Sequence, residues 1–342
     1  MALLAGCGSS GGATTSGETV VDPLTETVPP SRINAALTPE AGMFRLVGAP
    51  SFALRLVRVA AARGFVGSEG LSLRIREVAS VEAVATAFET GTADAAVVSS
   101  AEALELVAQG IPLRIVLLMT SSASELSILS TEAVSDIGGL AGLRVAATPG
   151  SEADLLLRGT LAESGMEPGS VTIVPTVGID PGAMLTRGEV DAAVVSHQQS
   201  TAALLLDPTL RTLYAAGEHP GFISQVLVVR DSISYSKPGQ ILAMVRSWRD
   251  VYGFARDQRD VLIADLAAHG KQDPIATTSD LDGLTLFDIE ANAVDLLPGG
   301  EYYDVTIGEI ETALVEAGRV NGLDNLKALV DGAFAQAVAS AR

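Results

Sequence analysis

The sequence predicts an α/β protein made of two similar units, and three observations predict it. From Met43 onward, short apolar runs alternate with helix-length stretches, the pattern of parallel strands joined by helices. One phrase occurs twice, as Gly91-Thr92-Ala93-Asp94-Ala95-Ala96-Val97-Val98-Ser99 and as Gly188-Glu189-Val190-Asp191-Ala192-Ala193-Val194-Val195-Ser196, 97 residues apart. The chain has 342 residues, 48% apolar and 18% charged. That excludes a disordered polymer and suits two globular units of ordinary size.

The elements follow in order. Residues 44–47 read as a strand. Ser51 caps a helix that runs to Arg63, with Gly64 as its terminator. Residues 71–78 alternate apolar and polar and read as a strand. Then come a helix at 81–89 ending at Thr90-Gly91, a short buried strand at 95–98, a helix at 101–109 stopped by Gly110, and a strand at 115–119. The alternation restarts with a strand at 143–147, a helix at 152–164, a strand at 171–175, a helix at 181–187 and a strand at 192–195. The apolar run 225–229 leads the chain back to the first unit. Beyond it, 239–270 and 308–341 are largely helical and are expected to pack on that first unit.

The repeated phrase has a physical reading. Its Gly ends a helix with φ > 0, and its Asp tightens the turn. The Ala-Ala-Val-Val strand lies close beneath helices because its side chains are small or β-branched. Each strand then ends in polar residues, Ser99-Ser100 in one copy and Ser196-His197 in the other. Ligands of open α/β sheets collect outside the carboxyl ends of the strands. Two such units facing each other would line a shared cleft with these tips.

Composition narrows the function. The net charge of −19 argues against nucleic acid and against docking on anionic lipid, while leaving room for a small anion in a local pocket. The single cysteine, Cys7, excludes internal disulfides and thiolate metal sites. His197, His219 and His269 are scattered without ligand spacing, so no metal and no cofactor are expected. No run of 18 apolar residues predicts a membrane span. No Gly-x-Ser-x-Gly, His-x-x-x-His or Gly-x-x-x-x-Gly-Lys motif occurs, so no catalytic residue is assigned.

Leu4-Ala5-Gly6-Cys7 resembles a bacterial lipoprotein lipobox, which implies a lipidated Cys7 at a mature N-terminus. A Gly/Ser-rich stretch and a second polar piece follow as a flexible tether, giving residues 1–41 as signal remnant, lipobox and tether. The body carries a second resemblance. It rests on the Gly-x-x-Asp-Ala-Ala-Val-Val phrase used once per unit, on Ala49-Pro50-Ser51-Phe52 before an Ala-rich helix, on Asp136-Ile137-Gly138-Gly139-Leu140-Ala141-Gly142-Leu143-Arg144-Val145-Ala146, and on Gly150-Ser151 opening a helix. Together these resemble bacterial periplasmic solute-binding proteins of ABC transporters, in the nitrate/sulfonate/taurine and thiamine-precursor branch. The resemblance implies a two-lobed type II fold, each lobe a mainly parallel sheet flanked by helices, with two hinge crossovers. Lobe 1 is expected at 42–124 plus 227–342, and lobe 2 at 125–226. It also implies capture of a solute between the lobes by closure, a monomer, and delivery to an ABC permease and its ATPase. The lipid anchor would be the only membrane contact of an extracytoplasmic protein.

Candidate ligand-binding residues sit at the strand ends. Thr148, Gly150, Ser151 and Glu152 open a helix whose free N–H groups suit a carboxylate, sulfonate or phosphate, and the same residues serve an ordinary N-cap equally well. Pro50, Ser51 and Phe52 play the equivalent part in the first unit. Thr120, Ser121 and Ser122 form a hydroxyl-rich loop before the predicted crossover. Ser99, Ser100, Ser196, His197, Gln198 and Gln225 complete the set. Arg55, Arg58 and Arg144 are candidates for neutralising an anion. The expected solute is a small organic anion, such as a sulfonate, taurine or nitrate, or a vitamin-precursor heterocycle. Two other classes stay open. One is a chorismate-dehydratase-like lyase on the same fold, needing only one base such as Asp191 or His197. The other is the receptor subunit of a sensor.

Overall fold

The computed structural model describes residues 33–124, 126–176 and 178–341. Cys7 and most of the expected tether therefore lie outside the described residues. Residues 33–41, expected in the tether, are packed. Ile33 is buried, and the Glu40 carboxylate accepts the backbone N–H groups of Gly239 and Gln240 at the start of helix Pro238–Asp257. That contact satisfies two of the donors a helix start leaves open.

The described residues form eleven strands in two sheets. They are β1 (Met43–Gly48), β2 (Ser72–Glu77), β3 (Ala95–Ser99), β4 (Leu113–Ser122), β5 (Leu126–Ser130), β6 (Arg144–Ala147), β7 (Thr172–Pro175), β8 (Ala192–Ser196), β9 (Arg211–Ala215), β10 (Ser224–Arg230) and β11 (Leu284–Leu286). The first sheet has the order β11-β4-β10-β3-β1-β2 and the second β7-β6-β8-β5-β9. Both are mixed. β1 to β4 share one direction while β10 and β11 oppose it. In the second sheet only β5 is reversed.

The reversed strands have a common cause. The chain leaves the first sheet at β4 and enters the second as β5, then returns from β9 as β10. Each arriving strand docks antiparallel against the repeated strand: β5 on β8, with Leu126 opposite Ser196, and β10 on β3, with Gln225 opposite Ser99. Both Ser tips therefore stand where the chain has just crossed. β10 is a first-sheet strand from Ser224 on, so the return precedes the expected 226/227 boundary. The two crossings touch. Gly217 donates its N–H to Ala123 O and Ser122 N–H reaches Ile223 O, each at 2.8 Å. A Cβ on Gly217 would stand 2.3 Å from Ala123 O, so this approach requires glycine.

The repeat is built as its sequence suggests, with Gly91 at φ +63° and Gly188 at φ +70°. Its aspartates do more than tighten a turn. Asp94 accepts the backbone N–H, Nε and Nη2 of Arg45 at the start of β1. Asp191 takes the same three groups of Arg144 at the start of β6. The duplication thus includes an Arg–Asp clamp that ties the first strand of each unit to its repeated strand.

Three apolar cores result. One lies on a face of the first sheet, where helices Phe52–Ala62, Pro238–Asp257 and Arg259–Gly270 bury Leu54, Trp248 and Leu262. A smaller one in the second sheet holds Leu129, Met184 and Leu185. The third is continuous across both sheets, from Val98 and Leu104 through Leu155 and Leu161 to Ile310 and Leu314. Helix Ile307–Glu316 makes that bridge by packing on Ser100–Ala108 and on Glu152–Glu163. Residues 308–341, expected to pack on the first unit, do so, and through helix Ile307–Glu316 they also reach the second.

Candidate functional site

A cleft of about 280 Å³ opens between the carboxyl ends of the first sheet's strands and the start of helix Glu152–Glu163 from the second. Pro50, Ser51 and Phe52 border it after β1, Thr120 and Ser122 at the end of β4, and Ser224 and Gln225 at the start of β10. Glu152 closes it from the other side. Ala49, Val97, Ile223 and Leu284 supply apolar wall, and Glu102 a further carboxylate.

Seven of the residues expected from the sequence come together here: Pro50, Ser51, Phe52, Thr120, Ser122, Glu152 and Gln225. Thr120 and Ser122 sit in β4 itself and not in a loop. Ser51 caps helix Phe52–Ala62 by accepting the Leu54 N–H, and Arg55 stacks over the Phe52 ring, its Cζ 4.7 Å from the centroid.

The other expected residues do not line this cleft, and most of them are engaged elsewhere. Ser99 and Glu102 form a capping box on helix Ser100–Ala108. Ser100, fully buried, lies between Ser224 Oγ at 2.6 Å and Tyr302 Oη at 2.7 Å. Ser224 gives its one proton to Gly221 O. Ser100 therefore donates to Ser224, and Tyr302 to Ser100. Burial pushes the Tyr302 phenol above its ordinary range and keeps it a donor. Ser121 Oγ accepts the Gly221 N–H in the return crossing. These hydroxyls hold the crossings together.

The expected anion loop is likewise satisfied from within. Thr148 shares a hydroxyl contact with Thr176. Ser151 caps its own helix at Ala153, and the Gly150 N–H goes to Asp154, which also holds Arg158. Only Glu152 of this loop reaches the cleft. Ser196 forms a capping box with Gln199, and Ser196, His197 and Gln198 do not border the cleft. Arg55 pairs with Asp280, Arg58 with Glu77 and Arg144 with Asp191, so all three expected anion partners are engaged. The Arg144 hydrogen bonds hold the Asp191 carboxyl below its usual range, which makes it a poor base for the lyase reading.

Sequence reasoning missed Glu102, Ala49, Val97, Ile223 and Leu284. Glu102 had a signal: Ser99-x-x-Glu102 is a capping box, and it follows a strand end. A cluster around one histidine was also out of reach by spacing. His219 stands between Glu163 of the second unit and Glu309 of the bridging helix, with its Nε2 2.8 Å from Glu309. These three side chains are close enough to hold a metal ion. As placed, each ring nitrogen faces its own carboxylate, Nδ1 that of Glu163 and Nε2 that of Glu309.

This architecture, two mixed α/β sheets joined by paired crossings with a cleft at the strand ends, is that of the periplasmic binding proteins. In fold the chain is similar to the periplasmic aliphatic sulphonate binding protein SsuA from Escherichia coli, with 18% identity, a TM-score of 0.67, and coverage of 85% of this chain and 92% of that one. It is similar to the periplasmic sulfonate-binding protein SsuA from Methylobacillus flagellatus KT, with 14% identity, a TM-score of 0.65, and 84% and 91% covered. It is also similar to the periplasmic nitrate-binding protein NrtA from Synechocystis PCC 6803, with 15% identity, a TM-score of 0.57, and 86% of each chain covered. No curated protein matches by sequence. The NMT1/THI5-like family matches residues 54–260, more than half of the chain, and the chain belongs to that family. No helix among the described residues is long and apolar enough to cross a membrane.

Proposed function

We propose that this protein is the solute-binding component of an ABC importer. It captures a small solute between two lobes, residues 42–124 with 224–342 and residues 125–223, and hands it to a permease driven by an ATPase. It works outside the cytoplasm as a monomer, anchored through a lipidated Cys7. The observation that carries the reading is the cleft, lined by the strand ends of the first sheet, by Ser122 and Ile223 where the two crossings touch, and from the second unit by Glu152. A solute that contacts Ser51 and Gln225 on one side and Glu152 on the other favours the closed arrangement through its contacts with both lobes. The capping boxes and the Arg–Asp clamps make each lobe rigid enough to move as a body.

The test is solution scattering of the purified protein with and without a solute shown by calorimetry to bind. Closure predicts a smaller radius of gyration on binding. A titrated ligand that leaves the radius unchanged defeats capture by closure. For the anchor, Cys7→Ser is expected to move the protein from the membrane fraction to the soluble extracytoplasmic fraction. Retention of the variant in the membrane would remove Cys7 from that role.

A further inference from the structure

We propose that Glu163, His219 and Glu309 form a site for one divalent transition-metal ion, of the zinc or manganese kind, where the two units join. The three side chains come from separate parts of the fold. Glu163 ends helix Glu152–Glu163 of the second unit, His219 follows the short turn Ala216–Glu218 in the return crossing, and Glu309 belongs to the bridging helix. One ligand atom from each lies within 4.8 Å of the others, and no second such group occurs among the described residues. The sequence predicts no metal because spacing along the chain does not reveal ligands that three distant elements bring together.

The His219 ring is what calls for a cation. Each of its nitrogens faces a carboxylate, and a carboxylate only accepts. A neutral imidazole has one N–H, so it satisfies one side and turns a lone pair on the other. Nδ1 makes its hydrogen bond with Glu163 Oε1. Nε2 stands 2.8 Å from Glu309 Oε2, yet that oxygen is buried and has no hydrogen-bond partner. A metal ion turns this opposed pair into two ligands. Glu163 then sits behind the ring on the Nδ1 proton, where a carboxylate commonly supports a metal-bound histidine. An imidazole beside a carboxylate suits zinc or manganese, whereas calcium prefers a shell of oxygens alone. Protonation of the ring is the competing way to satisfy both sides, and the test separates the two.

The surroundings fit an ion. Among the described residues, neither Glu163 nor Glu309 pairs with a lysine or arginine. Burial first, and then the charges of Glu163, Glu218 and Glu309, push the neighbouring Tyr214 phenol up, so the local field favours positive charge. A cavity of about 220 Å³ bordered by Glu163, Phe222, Glu309 and Thr312 leaves room for waters that complete the coordination. The ring is held in place by packing. Phe222 lies against it with centroids 5.7 Å apart, and Gly159 makes room for Phe222, since a Cβ there would stand 2.4 Å from its Cζ. Phe222 borders this cavity and Ile223 borders the cleft, so an ion on His219 stiffens the same crossing that lines the cleft.

The test uses the full chain carrying Cys7→Ser, made without a histidine tag and stripped with a chelator, so that no thiol or tag competes. Zinc, manganese and calcium chlorides are titrated in by calorimetry at constant pH, and imidazole ¹⁵N spectra follow the three histidines. One zinc or manganese ion per chain is expected, with calcium at least tenfold weaker. Zinc is expected to move a His219 ring signal and to leave those of His197 and His269 in place. His219→Gln and Glu309→Gln are each expected to weaken zinc binding at least tenfold, while His269→Gln leaves it unchanged. A urea midpoint without metal confirms that each variant is folded, and zinc is expected to raise the midpoint of the parent chain but not of the His219 and Glu309 variants.

If neither zinc nor manganese binds saturably, the proposal is overturned, and ring protonation alone accounts for the contacts. Calcium binding as tight as zinc overturns it too, because the imidazole would then not be a ligand. Zinc that moves the His197 or His269 signals in place of those of His219, or that binds undiminished after both substitutions, lies elsewhere on the chain and defeats the assignment.

Discussion

The two copies of the repeated phrase share seven of nine residues and a partner arginine, yet they live in different surroundings. In the first, the Asp94 side chain is 0% exposed and faces Arg45, Lys237 and, more distantly, Arg230. In the second, Asp191 is 33% exposed and has Arg144. The residue after each strand differs too, Ser100 being buried in a hydroxyl chain and His197 half-exposed at a helix start. The capping residue is Glu102 in one copy and Gln199 in the other, and only the first borders the cleft. The difference teaches that the repeat specifies a turn and a strand, while the elements packed around it decide whether that strand end builds the core, the crossing or the site.

The largest contrast should come from the aspartates. Asp94→Asn leaves three cations without their counter-charge and is expected to cost about 3 kcal/mol, the low end for a broken buried pair because the cations also reach water. Asp191→Asn, at a more exposed pair, should cost at most about 1 kcal/mol. Urea unfolding at neutral pH measures both, and equal costs would remove the contrast.

Acid sharpens the same comparison. Burial works to raise the Asp94 carboxyl, but the Arg45 hydrogen bonds and the Lys237 and Arg45 charges outweigh it and hold it below its usual range. For Asp191 the Arg144 side-chain hydrogen bond dominates in the same direction. A depressed carboxyl contributes stability above its unfolded value, about 3.9, and loses it as pH falls through its folded value. The gap between wild type and either Asn variant should therefore shrink as pH drops below about 4. A gap that widened there would contradict both ion pairs.

Next, Ser100→Ala breaks the Tyr302–Ser100–Ser224 chain and strands buried hydroxyls, for an expected loss of about 1–3 kcal/mol. His197→Ala, at the matching place, should change the urea midpoint by no more than about 0.5 kcal/mol equivalent. The smallest effect belongs to the caps. Gln199→Glu keeps a capping box in the second copy and should alter stability by only a few tenths of a kcal/mol and solute binding not at all. A binding change there would place the second strand tip in the site.

Much of this was legible in the sequence. The repeated strands, their glycine turns and the helices around them are encoded locally, in small or β-branched runs bounded by caps. β5, β9 and β11 were not. Leu126–Ser130 is short and follows a run of serines, Arg211–Ala215 is an edge strand with charged and exposed positions, and Leu284–Leu286 has three residues. Each is held as a strand by its neighbour more than by its own pattern. In the site, the strand-end rule found Ser51, Thr120, Glu152 and Gln225. It failed at Ser99, Ser100, Ser121 and Ser196 because a hydroxyl at a strand end serves a cap or a crossing as readily as a ligand. The Arg–Asp clamps and the Glu163–His219–Glu309 group join residues far apart in sequence, where spacing carries no information.

The bridging helix Ile307–Glu316 has a consequence for how the molecule comes into being. The second sheet is a contiguous stretch that is complete by Ala215, and the first sheet gains its last strand by Leu286. The element that fastens one to the other arrives only after both. During synthesis the two halves can thus mature in sequence, and helix Ile307–Glu316 joins them after both sheets are complete.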